Sequence, residues 1–319
     1  MTVTSVQDGA RRPCEPDPMP LAPPRVLLDP AHRAAGDVAH FWHAPLGHGL
    51  GCLRATFRRH AYARHSHDTY AVAAIVAGCE TFFHRGTQHY AQPGEVAVVC
   101  PDEIHDGAPH DGGFVYRTIY PSVALMTEIA EEATGRRLAR PPHFRVSVVP
   151  DPELAGDLAR LHGTLQAADR SAWLLAADTE LVSLLTRLIL RWADLDAAPR
   201  SPVLARPVAR ARDYLDAHFA EEVELAALAQ VAGVSRPHLI RAFRREVGLT
   251  PHAYLVDRRF REAARLLGRG EAPGEVAAAC GFCDQSHLNR VFKARMAVTP
   301  GAYRGPPSGG FRKAALGAG

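Results

Sequence analysis

From residue 203 to residue 304 the apolar positions keep a helical period, and the same polar punctuation interrupts them twice. Leu228-Ala229-x-x-x-Gly233 recurs 48 residues later as Val276-Ala277-x-x-x-Gly281. His238-Leu239-x-Arg241-x-Phe243 recurs 49 residues later as His287-Leu288-x-Arg290-x-Phe292, and Thr250-Pro251-x-Ala253-Tyr254 as Thr299-Pro300-x-Ala302-Tyr303. Each copy predicts a support helix, a tight turn and a second helix, which is helix-turn-helix grammar. In the first copy these are Leu225–Val231, Ala232–Val234 and a helix capped by Ser235. In the second they are Gly274–Cys280, Gly281–Phe282 and a helix capped by Asp284. Leu239, Phe243, Leu288 and Phe292 repeat at i, i+4 and must face inward. His252–Leu267 reads as one connecting helix of about 24 Å. With the width of each unit added, the two recognition helices can lie roughly 34 Å apart, one turn of DNA.

The pattern before residue 203 is different. Short apolar runs at Cys52–Phe57, Ala71–Ala77, Thr81–His84, Val96–Cys100 and Phe114–Tyr120 predict strands. Gly78, Arg85-Gly86, Pro93-Gly94-Glu95 and Asp111-Gly112-Gly113 stand between them as turns. Many short strands at this spacing predict a small antiparallel barrel or jelly roll. From residue 151 the period becomes helical, with Leu154, Leu158, Leu161 and Leu165 on one stripe and Leu174, Leu181, Leu184, Leu185, Leu188 and Trp192 on another. These stripes suit either the core or a dimer seam. The expected organisation is an arm over 1–25, a barrel over 26–150, a helical dimerisation and linker region over 151–198, a DNA-binding domain over 203–304 and a flexible tail over 305–319. The fold class is multidomain α+β: an antiparallel β-barrel with helices, followed by an all-α domain of two helix-turn-helix units.

Composition narrows the class. In a chain of 319 residues, 47% hydrophobic and 22% charged content suit globular domains. No apolar run is long enough for a membrane span, the N-terminus lacks a signal-peptide core, and six scattered cysteines do not form a disulfide framework. A cytoplasmic location with no membrane partner is the expectation. Residues 203–304 carry 16 basic and 11 acidic side chains, so the basic part of the chain is the part that holds the repeat.

The outward positions of the second helices carry chemistry suited to DNA. In the first unit they are Arg236, Pro237, His238, Ile240, Arg241, Arg244 and Arg245; in the second, Gln285, Ser286, His287, Asn289, Arg290 and Lys293. Arg pairs bidentately with guanine, and Asn or Gln with adenine. Ile240 suits a thymine methyl group, while Arg244, Arg245 and Lys293, further along, suit phosphate. Arg241 and Arg290 recur at the same place in both units. The bland alternative is solvated helix faces, with pairing to Glu246. Over residues 203–304 the chain resembles the DNA-binding domain of AraC/XylS-family transcription regulators, through LAALAQVAGVSRPHLIRAFRREVGLTPHAYL, RRFREAARLL and VAAACGFCDQSHLNRVFKARMAVTPGAYR. The resemblance implies that positions 236–241 and 285–290 read the major groove. It also implies double-stranded DNA as a partner and RNA polymerase as a possible one. One departure is Ala297, where the family more often has Gly and the first unit has Gly248. Cys280-x-x-Cys283 lacks a second pair, and Cys280 falls on a buried helix position, so it is not read as a metal site.

His65-Ser66-His67 places two imidazoles on one strand face, and Pro93-Gly94 opens a segment that ends at His105. This is similar to the split motif of cupin barrels, and AraC-family regulators often carry such a barrel as the effector-binding domain. The resemblance implies an effector pocket with His65, His67, Tyr70 and His105; Tyr62 and Arg64 flank the motif. Three histidines could also hold Zn²⁺ or Fe²⁺. Metal-binding cupins, however, usually carry a Glu four residues after the second His, where this chain has Ala71. The leading expectation is a homodimeric, effector-responsive transcription regulator, not an enzyme, with no catalytic residue, metal or cofactor assigned. The alternative is a metal-dependent cupin enzyme or metal sensor with a DNA-binding domain.

Overall fold

The structure is a computed structural model that describes residues 36–46, 49–166, 174–196 and 204–305. The expected arm, residues 199–202, whose Pro199-Arg200-Ser201-Pro202 sequence reads as an interdomain linker, and all but the first residue of the expected tail lie outside the described residues.

The N-terminal part carries strands β1 (Val38–His43), β2 (Gly51–Phe57), β3 (Tyr62–His65), β4 (Ala71–His84), β5 (Thr87–Ala91), β6 (Val96–Val99) and β7 (His105–Tyr120). Helix α1 (Val123–Thr134), the two-residue strands β8 (His143–Phe144) and β9 (Val148–Val149), helices α2 (Pro152–Gln166) and α3 (Leu174–Trp192), and β10 (Ala193–Asp194) follow. One sheet runs in the order β1-β2-β7-β4-β6-β9, with β3 added on β7 and β5 on β4, and its pairings are antiparallel. The expected barrel is not closed, because β1 and β9 end the path as separate edges.

Two glycine sites expected as turns lie inside strands. Gly78 sits within β4, and Asp111-Gly112-Gly113 within β7. They face each other across the ladder, where the register slips near Ile75–Cys79. A Cβ on Gly78, at φ +72°, would lie 2.0 Å from the Gly113 carbonyl oxygen. The glycines therefore make a bulge that bends two long strands instead of ending them. Through this bend β4 and β7 serve both halves of the sheet.

Alternation along the strands creates two cores. Val72, Ala74, Val96, Val98 and Ile119 point to one face and meet Leu158, Leu161, Leu181, Leu184, Leu185 and Leu188 of α2 and α3. The leucine stripes are thus core, not a dimer seam. On α3 the exposed apolar residues are instead Leu174, Leu175 and Leu190. Ala73, Ile75, Ala97, Phe114 and Tyr116 point to the other face.

The C-terminal part is helical: α4 (Arg206–Ala217), α5 (Leu225–Ala232), α6 (Arg236–Val247), α7 (Pro251–Gly268), α8 (Pro273–Ala279), α9 (Gln285–Met296) and α10 (Pro300–Tyr303). Helices α5–α6 and α8–α9 are the two units, and α7 connects them. Thr250, Asp284 and Thr299 cap their helices by accepting the backbone N–H groups of Ala253, His287 and Ala302. Ser235 occupies its N-cap position without a side-chain cap bond. Helix α4, not expected from the pattern, packs Val208, Ala211 and Leu215 into the first unit's own core with Leu228, Leu239 and Phe243. Among the described residues the second unit has no separate core. Its Val276, Leu288 and Phe292, with Phe260 and Leu267 of α7, join the inner face of the sheet. Among the described residues no helix is long and apolar enough to cross a membrane.

Ala297 ends α9 at φ 57°, where Gly248 ends α6 at φ 84°. An L-residue there is strained, partly offset by the lower entropy of Ala in the unfolded chain. Ala297→Gly is expected to stabilise the protein by about 0.5–1 kcal/mol. Urea unfolding checks this, and a fall in stability would show that Ala297 carries no strain.

Candidate DNA interface and effector pocket

On α6, Arg236, Pro237, His238, Arg241, Arg244 and Arg245 are exposed and Ile240 is half-buried, while Leu239 and Phe243 are fully inside. On α9, Gln285, Ser286, Arg290 and Lys293 are exposed and His287 and Asn289 half-buried, with Leu288 and Phe292 inside. Among the described residues Arg236, Arg241, Arg244, Arg290 and Lys293 have no ion-pair partner. Arg245 does pair, with Glu246 at 2.7 Å, and Glu246 also accepts the Ala205 N–H at 2.8 Å. The bland alternative therefore describes Arg245 but not its neighbours. Cys280 is buried and Cys283 exposed, so the CxxC pair does not converge on one site. Cys283 instead sits 3.3 Å from Nδ1 of His287.

The inner face of the sheet encloses a cavity of about 60 Å³ that holds His65, His67 and His105 together. His65 ends β3, directly across the ladder from His105, which opens β7. His67 lies just past the end of β3. The three rings meet in tilted and edge-to-face contacts, with centroids 4.5–5.9 Å apart. Each Nδ1 lies 2.8–3.0 Å from a backbone carbonyl, of Ala63, Thr69 and Glu103 respectively. A carbonyl only accepts, so each neutral ring carries its proton on Nδ1 and leaves the Nε2 lone pair free. One ring nitrogen from each residue lies within 4.8 Å of the others. Burial lowers all three rings, and the neighbouring imidazoles add to it for His65, pulled down to about 3, and for His105, which falls well below the usual histidine value.

The rest of the wall comes from residues that sequence reasoning missed or mentioned only in passing. Thr118 and Tyr120 follow Tyr116 at i+2 and i+4 on β7, and Tyr62 and Tyr116 share a hydroxyl–hydroxyl hydrogen bond. Glu80 and Phe82 line the cavity from β4. Burial pushes the Glu80 carboxyl up to about 8, so it is neutral at pH 7. Arg295, from the last turn of α9, closes the cavity from the DNA-binding side. Tyr70 does not join this site. It is buried in the other core and gives its hydroxyl to the Pro142 carbonyl at 2.5 Å, because it stands just before β4 in phase with Val72 and Ala74, which face that core. Arg64 also stays outside, bound to Asp106 at 3.3 Å and stacked over Phe83.

Two family models match the chain: an AraC-like ligand binding domain over residues 47–185 and a helix-turn-helix domain over residues 228–305. The HTH-type transcriptional regulator YbfI of Bacillus subtilis (strain 168) is 30% identical over 228 residues, 71% of this chain and 81% of that protein. The chain belongs to the AraC/XylS family of transcription regulators. The HTH-type transcriptional activator RhaS of Enterobacter sp. (strain 638) is 24% identical over 82% of this chain and 94% of its own length. Among solved structures, an apo form of ToxT from Vibrio cholerae strain SCE256 matches over 79% of this chain and 96% of its own, at 14% identity and a TM-score of 0.46. The Ala297 departure from the family's usual Gly keeps the left-handed backbone that a Gly would favour.

Glu80 yields a pH prediction for this AraC-family protein. Its folded value lies above the unfolded one, so the folded state holds a proton that the unfolded state releases. That stabilisation is full below about pH 4.5 and is lost as pH rises to about 8, at up to roughly 1.4 kcal/mol per pH unit. Isosteric Glu80→Gln should flatten this slope, so that the variant outlasts the wild type in urea at pH 8 relative to pH 5. Parallel slopes in the two proteins would place Glu80 in water.

Proposed function

We propose that this DNA-binding transcription regulator reads two blocks of major groove through the exposed faces of α6 and α9, and that a small effector bound among His65, His67 and His105 modulates it. The observation that carries the reading is the pair Arg241 and Arg290. They stand at equivalent places in the repeat, exposed and, among the described residues, without ion-pair partners, over helices whose Leu and Phe residues are buried. Arg236, His238, Ile240, Gln285, Ser286, His287 and Asn289 flank them as further readers. Arg244 and Lys293 face phosphate, and Arg245, tied to Glu246, has the weaker claim. The domain scheme is a sensing sheet with helices α1–α3, followed by the helix-turn-helix pair from residue 203. A homodimer would use α3 on the side of Leu175 and Leu190, since its leucine stripe is already buried. The protein acts in the cytoplasm on double-stranded DNA, with RNA polymerase as a possible contact, and performs no catalysis.

A second reading has an observation of its own. Three neutral imidazoles with free Nε2 lone pairs, each oriented by an Nδ1–H bond to a carbonyl, form a ligand set suited to Zn²⁺ or Fe²⁺. No carboxylate completes the set at Ala71. A metal there would serve as effector or as its anchor.

Selection of bound sequences from random DNA tests the first reading. Arg290→Ala should relax one block of the selected site at a cost of about 1–3 kcal/mol, while Lys293→Ala should weaken all sequences alike and lower the salt slope by about 0.9. Unchanged specificity in Arg290→Ala would remove α9 from the groove. For the second reading, native mass spectrometry of the full chain should show a divalent metal that His65→Ala and His105→Ala both lose. A wild type that takes up neither Zn²⁺ nor Fe²⁺ on titration would sink it.

A further inference from the structure

The DNA-binding half does more than sit beside the sensing pocket; one of its side chains forms part of the wall. Arg295 lies on α9, the second recognition helix, and is 8% exposed. Its Nε has no hydrogen-bond partner among the described residues, and Nη1 makes only a long 3.4 Å contact to the Val291 carbonyl. The nearest carboxylate is Asp257, 3.8 Å from Nε. Asp257, on α7, is committed elsewhere: it accepts the Ser66 N–H at 3.1 Å and the Ser66 hydroxyl at 2.7 Å, and has Arg261 at 3.6 Å. Arg261 in turn pairs with Asp102. The Phe260 ring lies 5.6 Å from the guanidinium carbon, yet the buried Nε is left without an acceptor, an unmet demand because buried charge is costly unless paired and hydrogen-bonded.

The repeat sharpens the point. Arg295 stands where the first unit has Glu246, 49 residues earlier. Glu246 meets its own domain through Arg245 and the Ala205 N–H. The second unit has reversed that charge and turned it into the cavity of the other domain.

The cavity supplies no ionised acceptor of its own beside Arg295. Glu80 holds its proton at pH 7, and Asp106 is engaged by Arg64 and by the Phe83 N–H at 2.6 Å. The opposite wall offers the hydroxyls of Tyr62, Tyr116 and Tyr120 and the free imidazole lone pairs. The cavity, about 60 Å³, suits a small molecule.

We propose that the effector is a small organic acid whose carboxylate is taken by Arg295 of the second helix-turn-helix unit while its body lies against the tyrosine and histidine wall of the sheet. The inference rests on the effector-pocket reading above and adds the ligand's charge and the second domain's part in holding it. Arg295 pairs with a planar carboxylate bidentately, which fixes the acid's orientation. One ligand then touches both domains, so its binding free energy is shared with the docking of α9 on the sheet. By linkage, the acid and the docked state stabilise each other to the same extent. The Ser66–Asp257 bonds carry the coupling from the other side. His65 and His67 face the ligand, and Ser66 between them grips the helix that connects the two DNA-reading units.

The test uses full-length protein with acetate, lactate and pyruvate as probes and acetamide, lactamide and pyruvamide as their neutral counterparts. Calorimetry should find at least one acid that binds and an amide at least about tenfold weaker. Arg295→Gln should lose about tenfold in acid affinity and Arg295→Lys recover part of it. Hydrogen exchange should show the acid protecting Val291–Met296 as well as β3, a result that needs no variant. Tyr120→Phe, on the sheet side, should weaken the acid several-fold and serves if Arg295→Gln does not fold. Amides binding as well as acids, protection confined to β3, or no acid binding at all overturns the proposal. Sequence selection with the same wild-type protein reads the regulator assignment separately, since a selected DNA motif stands whatever the acids do.

Discussion

A sheet that alternates apolar residues on both faces cannot leave either face in water, and that constraint organises this protein. The face carrying Val72, Ala74, Val96 and Val98 is covered by α2 and α3. Among the described residues no helix of the N-terminal part packs into the core on the face carrying Ala73, Ile75 and Ala97, and Phe260, Phe292 and Met296 of the DNA-binding half complete that core. Hydrophobic burial thus couples sensing to reading before any polar contact is considered. The polar contacts then fix the register. Ser66 meets Asp257, the His43 ring donates to the Tyr303 carbonyl at 2.9 Å, and the Phe41 and Tyr303 rings stack at 4.4 Å.

The two helix-turn-helix units are alike in sequence and unlike in situation. The first closes around its own core with α4, so its reading helix answers mainly to itself. The second shares its core with the sheet and lends Arg295 to the cavity, so what happens in the cavity bears first on α9. This asymmetry gives an effector a physical route to one half of a DNA site. A ligand can shift an equilibrium only through contacts that differ between its states. Here the state with α9 docked presents a guanidinium that the undocked state would not.

The pocket also shows how burial and hydrogen bonding divide their roles. Three backbone carbonyls orient the imidazoles, and burial keeps them and Glu80 neutral, so the wall offers lone pairs and hydroxyls without fixed negative charge. A site of this kind favours an anion at the Arg295 end. The histidine end stays open to a cation, which is why the metal reading and the acid reading do not exclude each other chemically.

The duplicated spacing of Leu, Gly, His, Arg and Phe determined the C-terminal architecture, because helix period, capping and turn chemistry are local and survive in one dimension. The inward pairs Leu239–Phe243 and Leu288–Phe292 and the exposed Arg241 and Arg290 follow from that period alone. The His65-Ser66-His67 alternation likewise announced a polar site, although only His65 lies on a strand and His67 follows its end. Sheet closure, the reach of β4 and β7 and the place of Tyr70 were not legible. A glycine that turns a chain and a glycine that bulges a strand look alike until Gly78 is seen against Gly113. Arg295 carried only a faint mark, a charge opposite to that of Glu246 at the matching place in the repeat. The sequence set which faces are apolar and which polar side chains the second helix of each unit exposes. Only the tertiary structure decided which domain covers the inner face of the sheet, because that depends on contacts between segments far apart in the chain, as Ser66 and Asp257 are, separated by 191 positions.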